Sequence, residues 1–280
     1  MDLQLIRSSF KAAVMAMLML GTTFGFTYGN QAWAWGANGH RIIGAIAEQH
    51  LTPEAKAQVM AILQGQSLAR ASTWADEMRS APGPFWQRQS SRWHYINIDS
   101  EHEFLNTEHH AHTDKTDIKD AYSAILSAMS ALSKADTSAT DKQFYLRFLI
   151  HLIGDIHQPL HVGRSADRGG NRINVEFFSQ VTNLHRLWDT QLIAHQQLSY
   201  SEYKDFICCT QNQVAQNKNV DVKGWLLESH HLASKIYRHS DERLGYEYVY
   251  QYQTMMEQQL RRGGLRLAAL LNQLYQGTAA

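Results

Sequence analysis

The chain of 280 residues has only two cysteines, Cys208 and Cys209, and they are adjacent. Neighbouring cysteines cannot join distant segments, so long-range disulfides do not hold this fold together. We interpret the pair as small packing residues, with a vicinal disulfide as the alternative. The sequence also lacks an Asn-x-Ser/Thr acceptor for glycosylation, which favours bacterial export over a eukaryotic secretory route.

Excess charge of one sign is absent as well, because 26 basic residues balance 26 acidic ones. Overall charge therefore cannot supply affinity for a polyanion, and any phosphate-binding charge has to be concentrated locally. Metal ions are one way to concentrate it. The chain has no Walker loop and no G-x-S-x-G elbow, which argues against nucleotide triphosphatases and serine hydrolases.

The first 34 residues have the pattern of a secretory signal peptide. Arg7 and Lys11 precede an apolar run over residues 12–26, and Ala32-Trp33-Ala34 forms an A-x-A cleavage site. An uncleaved membrane anchor is the alternative, but the run is shorter than the roughly 20 apolar residues that a span requires. We expect an exported, monomeric protein, periplasmic or secreted, that is free of the membrane after processing. No repeat or linker divides residues 35–280, which we expect to form one domain.

Helical periodicity dominates the rest of the chain, which predicts a mainly α fold. The expected helices cover residues 39–50, 52–63, 117–134, 141–157, 183–197, 222–238 and 245–275. One segment, residues 171–178, alternates apolar and polar positions as a strand does. The sequence therefore predicts a helical domain with a small β-hairpin.

Histidine is abundant, with 15 residues, and in two predicted apolar helices a histidine stands four positions before an aspartate. His151 precedes Asp155 and His185 precedes Asp189, so each pair shares one face of a helix. One such pair can be a surface ion pair. Two pairs in apolar helices, with His161 just beyond the first, favour metal binding because burying unpaired imidazoles and carboxylates is costly.

Four more residues are candidates for the same centre. Asp76 can be a surface carboxylate or a helix cap, and His94 can be a core histidine, but both can also supply metal ligands. Cleavage after residue 34 would give Trp35 a free amine, which can chelate a cation together with its carbonyl oxygen. His40 follows one helical turn later. The alternative is that Trp35 packs under the first helix and His40 is a polar cap.

At these positions the sequence resembles the zinc-dependent single-strand nucleases typified by the fungal P-one and S-one enzymes. The motifs that carry the resemblance are WGANGH, WADEMR, WHYIN, GDIHQPLHVG followed by GGN, and NLHRLWD. They occur in the family's order and cover residues 35–189. The resemblance implies a single-domain phospholipase C/P-one nuclease-like fold that hydrolyses single-stranded DNA and RNA to 5′-phosphate products, with 3′-nucleotidase activity.

The resemblance also implies three zinc ions. One would be held by Asp76, His94, His151 and Asp155, a second by His161, His185 and Asp189, and a third by Trp35 and His40, with Asp155 bridging to the first.

Supporting residues follow from the same resemblance. Tyr95 would offer a stacking face to a base and Asn97 a hydrogen-bonding edge, while Asp99 would orient the attacking water. The family uses a lysine and an asparagine near the phosphate, and His102 and Gln191 stand roughly where these are expected.

Two alternatives stay open. A zinc-dependent phospholipase C shares the fold, but that branch has a longer gap after the tryptophan and ends its ligand set with glutamate, whereas this chain has Asp189. A non-catalytic zinc protein would instead have closed four-ligand sites. Among the other histidines, we expect His109, His110 and His112 to lie in a solvated loop and His157 to be structural.

Overall fold

Helices make up most of the chain, as the sequence predicts. The computed structural model describes residues 35–239 and 241–277, so the expected signal peptide lies outside the described residues. The α-helices are α1 (Ala37–Gln49), α2 (Pro53–Ile62), α3 (Leu68–Ala71), α4 (Trp74–Glu77), α5 (Glu101–Asn106), α6 (Ala121–Ser133), α7 (Ala139–Ile156), α8 (Leu184–Arg186), α9 (Leu192–His195), α10 (Tyr200–Ile207), α11 (Gln211–Gln216), α12 (Val222–Ile236) and α13 (Tyr246–Leu274).

Side-chain caps set where several of these helices begin. Thr52 accepts a hydrogen bond from the backbone of Ala55, and Pro53 occupies the first turn of α2 as the sequence predicts. Asp120 forms a capping box at the start of α6, so this helix begins later than the predicted residue 117. Ser138 caps α7, which therefore begins two residues before the predicted residue 141.

The segment predicted as one helix over 183–197 is interrupted. A π-helical stretch, Leu187–Gln191, separates α8 from α9. A π-helix contains an extra residue per turn and often occurs at functional sites. Asp189 lies within this stretch.

The strand predicted over 171–178 is present but shorter, as β1 (Asn174–Phe177), and it forms the predicted small hairpin with β2 (Gln180–Asn183). They pair antiparallel, and the two turn residues, Phe178 and Ser179, have φ of 46° and 65°. The sequence analysis missed a third strand, β3 (Arg243–Leu244), which pairs parallel to β1. Because β3 has only two residues, it carries no recognisable alternation.

Helix α1 packs closely against its neighbours through glycines. A Cβ on Gly264 of α13 would lie 2.5 Å from Ile46, and one on Gly44 would lie 2.6 Å from the carbonyl oxygen of Leu68. Only hydrogen at these positions permits such close contact. Helix α1, which carries His40, is thereby fixed in the core of the domain.

Cys208 and Cys209 are joined by a vicinal disulfide. Both also pack against the hydrophobic core. The vicinal disulfide, which is the alternative interpretation of the pair, is therefore present in the structure. Packing is only part of the role of the two cysteines. None of the described helices combines the length and the apolar character needed to cross a bilayer.

Candidate metal centre

The eight side chains predicted as ligands come from different elements and are all buried. None is more than 8% exposed. Helix α7 supplies two of them and lies at the middle of the set. The full set is His40 on α1, Asp76 on α4, His94 at the end of a 3₁₀ helix (Ser90–His94), His151 and Asp155 on α7, His161 on a 3₁₀ helix (Pro159–Val162), His185 on α8 and Asp189 on the π-helix.

Five of these residues form what we call the Asp155 group: His40, Asp76, His94, His151 and Asp155. The Oδ1 atom of Asp155 lies 3.3 Å from His40 Nε2, and its Oδ2 atom lies 3.0 Å from His94 Nδ1 and 3.2 Å from His151 Nε2. Asp76 Oδ1 is 3.9 Å from His151 Nε2. The predicted i,i+4 pair of α7 is thus joined by ligand candidates from three other elements.

The other three residues form the Asp189 group: His161, His185 and Asp189. Asp189 Oδ2 lies 3.2 Å from His185 Nε2, and Asp189 Oδ1 lies 3.7 Å from His161 Nε2. The two imidazoles stack with ring centroids 4.9 Å apart. His161 Nδ1 is also 3.8 Å from Asp155 Oδ1, so the two groups adjoin.

Backbone carbonyl groups fix three of the histidine rings. The Nδ1 atoms of His151, His161 and His185 each lie 2.6 Å from a carbonyl oxygen, belonging to Ser72, His94 and Gly169 respectively. An Nδ1–H that donates to a carbonyl leaves Nε2 as the lone-pair nitrogen. In all three residues that nitrogen faces the carboxylates of the groups.

The buried nitrogen and oxygen atoms of the two groups are compensated poorly by one another and would be compensated better by a cation. His151 Nε2 lies 2.9 Å from His94 Nδ1. Buried atoms without a hydrogen-bond partner include both ring nitrogens of His40, His94 Nε2, Asp155 Oδ1, His161 Nε2 and Asp189 Oδ2. Such atoms are costly to bury. Two ligands of a tetrahedral zinc ion with bonds of about 2.0 Å lie about 3.3 Å apart, which matches the spacing here. The residues present therefore fit a metal centre, and three sets among them could each hold an ion.

The pKa values agree with this chemistry. Burial lowers the pKa of His40 and of His185, and it lowers that of His94 to about 4, which keeps their imidazoles neutral. Burial would also lower the pKa of His151, but the charges of Asp155 and Asp76 raise it to about 9. Without a cation His151 therefore carries a proton on Nε2 as well, in the place that a bound metal ion would take, and the carboxylates attract positive charge into the cluster.

The two glycines at the start of α1 are required by close contacts with the π-helix and with Trp35. The backbone N–H of Gly36 donates to the carbonyl oxygen of Asp189 at 2.6 Å, and a Cβ on Gly36 would lie 2.9 Å from Thr190 Oγ1. A Cβ on Gly39 would lie 3.0 Å from the Trp35 side chain. Trp35 is fully buried, so it does pack against the first helix. Whether its amine and carbonyl bind metal stays a prediction.

His40 is buried within α1 and faces Asp155, so it is not the polar cap of the alternative interpretation. The close approach of its ring depends on Gly154, where a Cβ would lie 2.8 Å from His40 Nδ1. His40 also stacks on His151 with centroids 3.9 Å apart. Sequence reasoning missed this role of Gly154, although its position just before Asp155 in a helix offered a signal.

Gln158 is a second residue that the sequence analysis missed. It is fully buried, its Nε2 donates to Asp189 Oδ1 at 2.5 Å, and its Oε1 accepts from the backbone N–H of Leu160 at 2.6 Å. The side chain therefore joins the turn after α7 to the π-helix. A polar residue before Pro159 indicates a cap, but only the fold brings its other end to Asp189.

The segment after His94 is extended and alternates in burial. The N–H groups of Ile96 and Ile98 donate to the carbonyl oxygens of His161 and Gly163 at 2.9 and 3.0 Å. These two isoleucines are buried, whereas Tyr95 is 43% exposed and Asn97 is half-buried. The predicted substrate-binding residues thus lie on the outer side of a segment that is hydrogen-bonded to the neighbourhood of His161.

The three predicted catalytic residues lie in different surroundings. Asp99 is exposed and accepts a hydrogen bond from the backbone N–H of Ser165 at 2.9 Å. His102 is exposed on α5, and its carbonyl oxygen accepts from Asn106. Gln191 ends the π-helix that carries Asp189, and its Oε1 is buried without a hydrogen-bond partner. Their catalytic roles stay predictions.

Two expectations about other histidines can be compared with their contacts. His157 is buried and bonds to the carbonyl oxygen of Ile153 and to Arg266, contacts that suit a structural residue. His109 does not lie in a solvated position, because its ring packs 5.1 Å from Phe104 and 4.8 Å from Tyr122.

Comparison with known proteins agrees with this geometry. The family model described as S1/P1 nuclease matches residues 35–276, well beyond the motifs that end at residue 189. Endonuclease 4 of Arabidopsis thaliana is 32% identical over 278 residues, covering 88% of this chain and 91% of the relative. Nuclease P1 of Penicillium citrinum is 33% identical over 202 residues, covering 69% and 72%. Nuclease S1 of Aspergillus oryzae is 30% identical over 186 residues, covering 65% and 58%. The chain therefore belongs to the S1/P1 nuclease family of phosphodiester-hydrolysing enzymes.

Proposed function

We propose that this chain is an exported zinc-dependent nuclease that hydrolyses single-stranded DNA and RNA to 5′-phosphate products and also acts as a 3′-nucleotidase. Family membership supports the nuclease activity. The leader pattern of residues 1–34 supports export to the periplasm or the medium, with residues 35–280 as one monomeric mature domain. The neutral overall charge supports a local source of phosphate binding.

The proposed centre takes three zinc ions. The Asp155 group would hold two of them, the first through Asp76, His94, His151 and Asp155, and the other through His40, Asp155, and the amine and carbonyl of Trp35. The Asp189 group would hold the remaining ion through His161, His185 and Asp189. When bound, zinc ions lower the pKa of water and take up negative charge on phosphoryl and leaving oxygens.

The protein's own residues would position the reactants. Hydrogen bonds from the Ser165 side chain and backbone N–H lower the pKa of Asp99, so its carboxylate stays ionised at neutral pH. An ionised carboxylate can accept a hydrogen bond from water and orient it for in-line attack on phosphorus. The exposed ring of Tyr95 can stack on a base, and the amide of Asn97 can hydrogen-bond to a base edge. Stacking and edge contacts require unpaired bases, which favours single strands over duplexes.

His102 and Gln191 are proposed to assist near the phosphate. His102 could donate a hydrogen bond from an exposed ring. Gln191 has an unsatisfied Oε1 on the same π-helix as Asp189, which supports a location beside the Asp189 group.

The observation that carries the proposal is the convergence of buried, unpartnered imidazole and carboxylate atoms around Asp155 and Asp189. The test is turnover by the processed protein on single-stranded DNA, single-stranded RNA, duplex DNA and phosphatidylcholine. Chelator should abolish cleavage of the single strands, and added zinc should restore it. Cleavage of the lipid without cleavage of nucleic acid would overturn the proposal, as would nuclease activity that survives complete removal of metal.

A further inference from the structure

A second cluster of possible metal ligands lies outside the centre described above. Cys208, Cys209 and His50 offer two sulfurs and one ring nitrogen that all lie within 4.8 Å of one another. His50 Nε2 is 3.8 Å from Cys208 Sγ. In a tetrahedral site with Zn–N and Zn–S bonds of about 2.0 and 2.3 Å, a nitrogen and a sulfur ligand lie about 3.5 Å apart. The observed separation is close to that value.

The backbone around this cluster is fixed on each side. Cys208 caps the C-terminus of α10, and Thr210 forms a capping box at the start of α11. His50 follows α1, and its carbonyl oxygen accepts from Asn272 of α13 at 3.0 Å. All three potential ligands are half-buried, and burial lowers the pKa of His50. Its imidazole is therefore neutral at physiological pH, as metal ligation requires.

The cluster is separate from the proposed catalytic centre. His40 lies in α1 and His50 directly follows its last residue, so the ten positions between them correspond to about 15 Å at 1.5 Å per residue. The proposed catalytic ligands contain no sulfur, whereas this cluster has two. Soft thiolate ligands select thiophilic cations. The two sets of ligands therefore differ in the cations that they prefer.

We propose that Cys208, Cys209 and His50 form a second metal site, for a thiophilic filled-shell cation such as Zn²⁺ or Cd²⁺, that is present only when the disulfide is reduced. In the oxidised chain the sulfurs are bonded to each other and cannot act as thiolates. Reduction adds two electrons and two protons and breaks the sulfur–sulfur bond. Binding of the cation then releases the two protons and leaves two thiolates and His50 Nε2 as ligands, with a fourth position open to water.

The test uses the zinc-loaded, processed protein and Cd²⁺ as the probe. A phosphine reductant supplies the two electrons and becomes the phosphine oxide, with its oxygen taken from water. Cadmium bound to thiolates has an ultraviolet charge-transfer band, whereas cadmium that enters the sulfur-free catalytic centre has none. The reduced protein should develop this band and saturate it at one equivalent, and the unreduced protein should show no band.

Three variants make the test specific. Cys208→Ser and Cys209→Ser should each abolish tight binding, and His50→Gln should weaken Cd²⁺ binding by about tenfold or more, since even outer-shell changes cost about 10–100-fold. His230→Gln, another half-buried histidine, is the matched control and should bind as the unchanged protein does. Far-ultraviolet circular dichroism checks that each variant is folded.

Three results would overturn the proposal. The first is the absence of the band in the reduced protein, and the second is a full band in the unreduced protein. The third is unchanged affinity in folded His50→Gln, because the two cysteines would then bind the cation without the histidine. The proposal does not depend on the nuclease assignment, since the charge-transfer band is read without any substrate.

Discussion

The two halves of the candidate metal centre start from the same sequence pattern and are held differently. Asp155 and Asp189 each follow a histidine by four residues, and each is almost completely buried. Asp155 is surrounded by imidazoles from three separate elements, at 3.0 to 3.3 Å. Asp189 has two imidazoles nearby and a hydrogen bond from Gln158.

This difference shows what each carboxylate depends on. Asp189 keeps the amide donor of Gln158 at Oδ1 whether or not a cation is present, while its Oδ2 has no hydrogen-bond partner. Asp155 is contacted by imidazoles alone, with His94 Nδ1 3.0 Å from Oδ2 and no hydrogen-bond partner at Oδ1, so its compensation has to come from positive charge on those rings or on a cation. Asp155 also adjoins the Asp189 group through His161. We therefore expect Asp155 to be the residue on which most of the centre depends.

The largest difference between the two aspartates is expected when each is replaced by asparagine. Asp155→Asn should lower kcat/KM on single-stranded DNA by about 10³-fold or more, because two of the proposed ions lose a ligand and several kcal/mol of charge stabilisation. Asp189→Asn should cost less, because only one ion loses a ligand. Asp117→Asn, on the surface, is the control. Equal losses in the two buried variants would contradict the comparison.

A Cβ placed at Gly154 tests the Asp155 group without removing a ligand. In Gly154→Ala the new methyl group would lie 2.8 Å from His40 Nδ1, so the imidazole has to move away from Asp155. Activity and bound zinc should fall, with a loss near the upper end of the 10–100-fold range seen for disturbed ligand orientation.

Thr140→Ala, exposed on the same helix, is the control for helix stability. Full zinc content and activity in a folded Gly154→Ala variant would show that neither depends on the observed position of the His40 ring.

Gln158→Leu tests the Asp189 group by removing the donor while keeping a side chain of similar size. Zinc dependence of activity should shift to higher concentrations by about tenfold, the lower end of the same range, because Asp189 keeps its histidine neighbours. Gln253→Leu, a half-buried glutamine on α13, is the control. A variant whose zinc requirement is unchanged would exclude a positioning role for Gln158.

The smallest effect is expected outside both groups, at the proposed stacking residue. Tyr95→Ala should raise KM for single-stranded DNA about fivefold, equivalent to about 1 kcal/mol, because its ring is only partly covered. Binding of zinc should stay unchanged. Tyr250→Ala, at a ring that is 89% exposed, is the matched control and should leave KM as it is. A similar rise of KM in both variants would contradict a specific stacking role of Tyr95.

The sequence predicts the local parts of this centre better than the parts that join distant segments. The i,i+4 pairs His151–Asp155 and His185–Asp189 follow from helical spacing alone, and both meet as predicted. The long helices were also predicted from apolar periodicity, with ends that differ where caps intervene.

Contacts between elements could not be read in the same way. A glycine is required at position 154 only because α1 crosses α7 at His40. Gln158 contacts Asp189 only because the π-helix lies beside the turn after α7. The parallel pairing of β3 with β1 joins residues more than sixty positions apart. The approach of His50 to the cysteine pair likewise depends on how α1 and α10 pack.

The most direct test of the account is the zinc content of the processed protein. Two forms are compared by elemental analysis after mass spectrometry has verified their first residues: one begins at Trp35, and the other carries one additional glycine before it. We predict about three zinc ions per chain in the first form and about two in the second, with activity lost in parallel. Equal zinc content and activity in both forms would contradict the proposed role of the Trp35 amine in a three-ion centre.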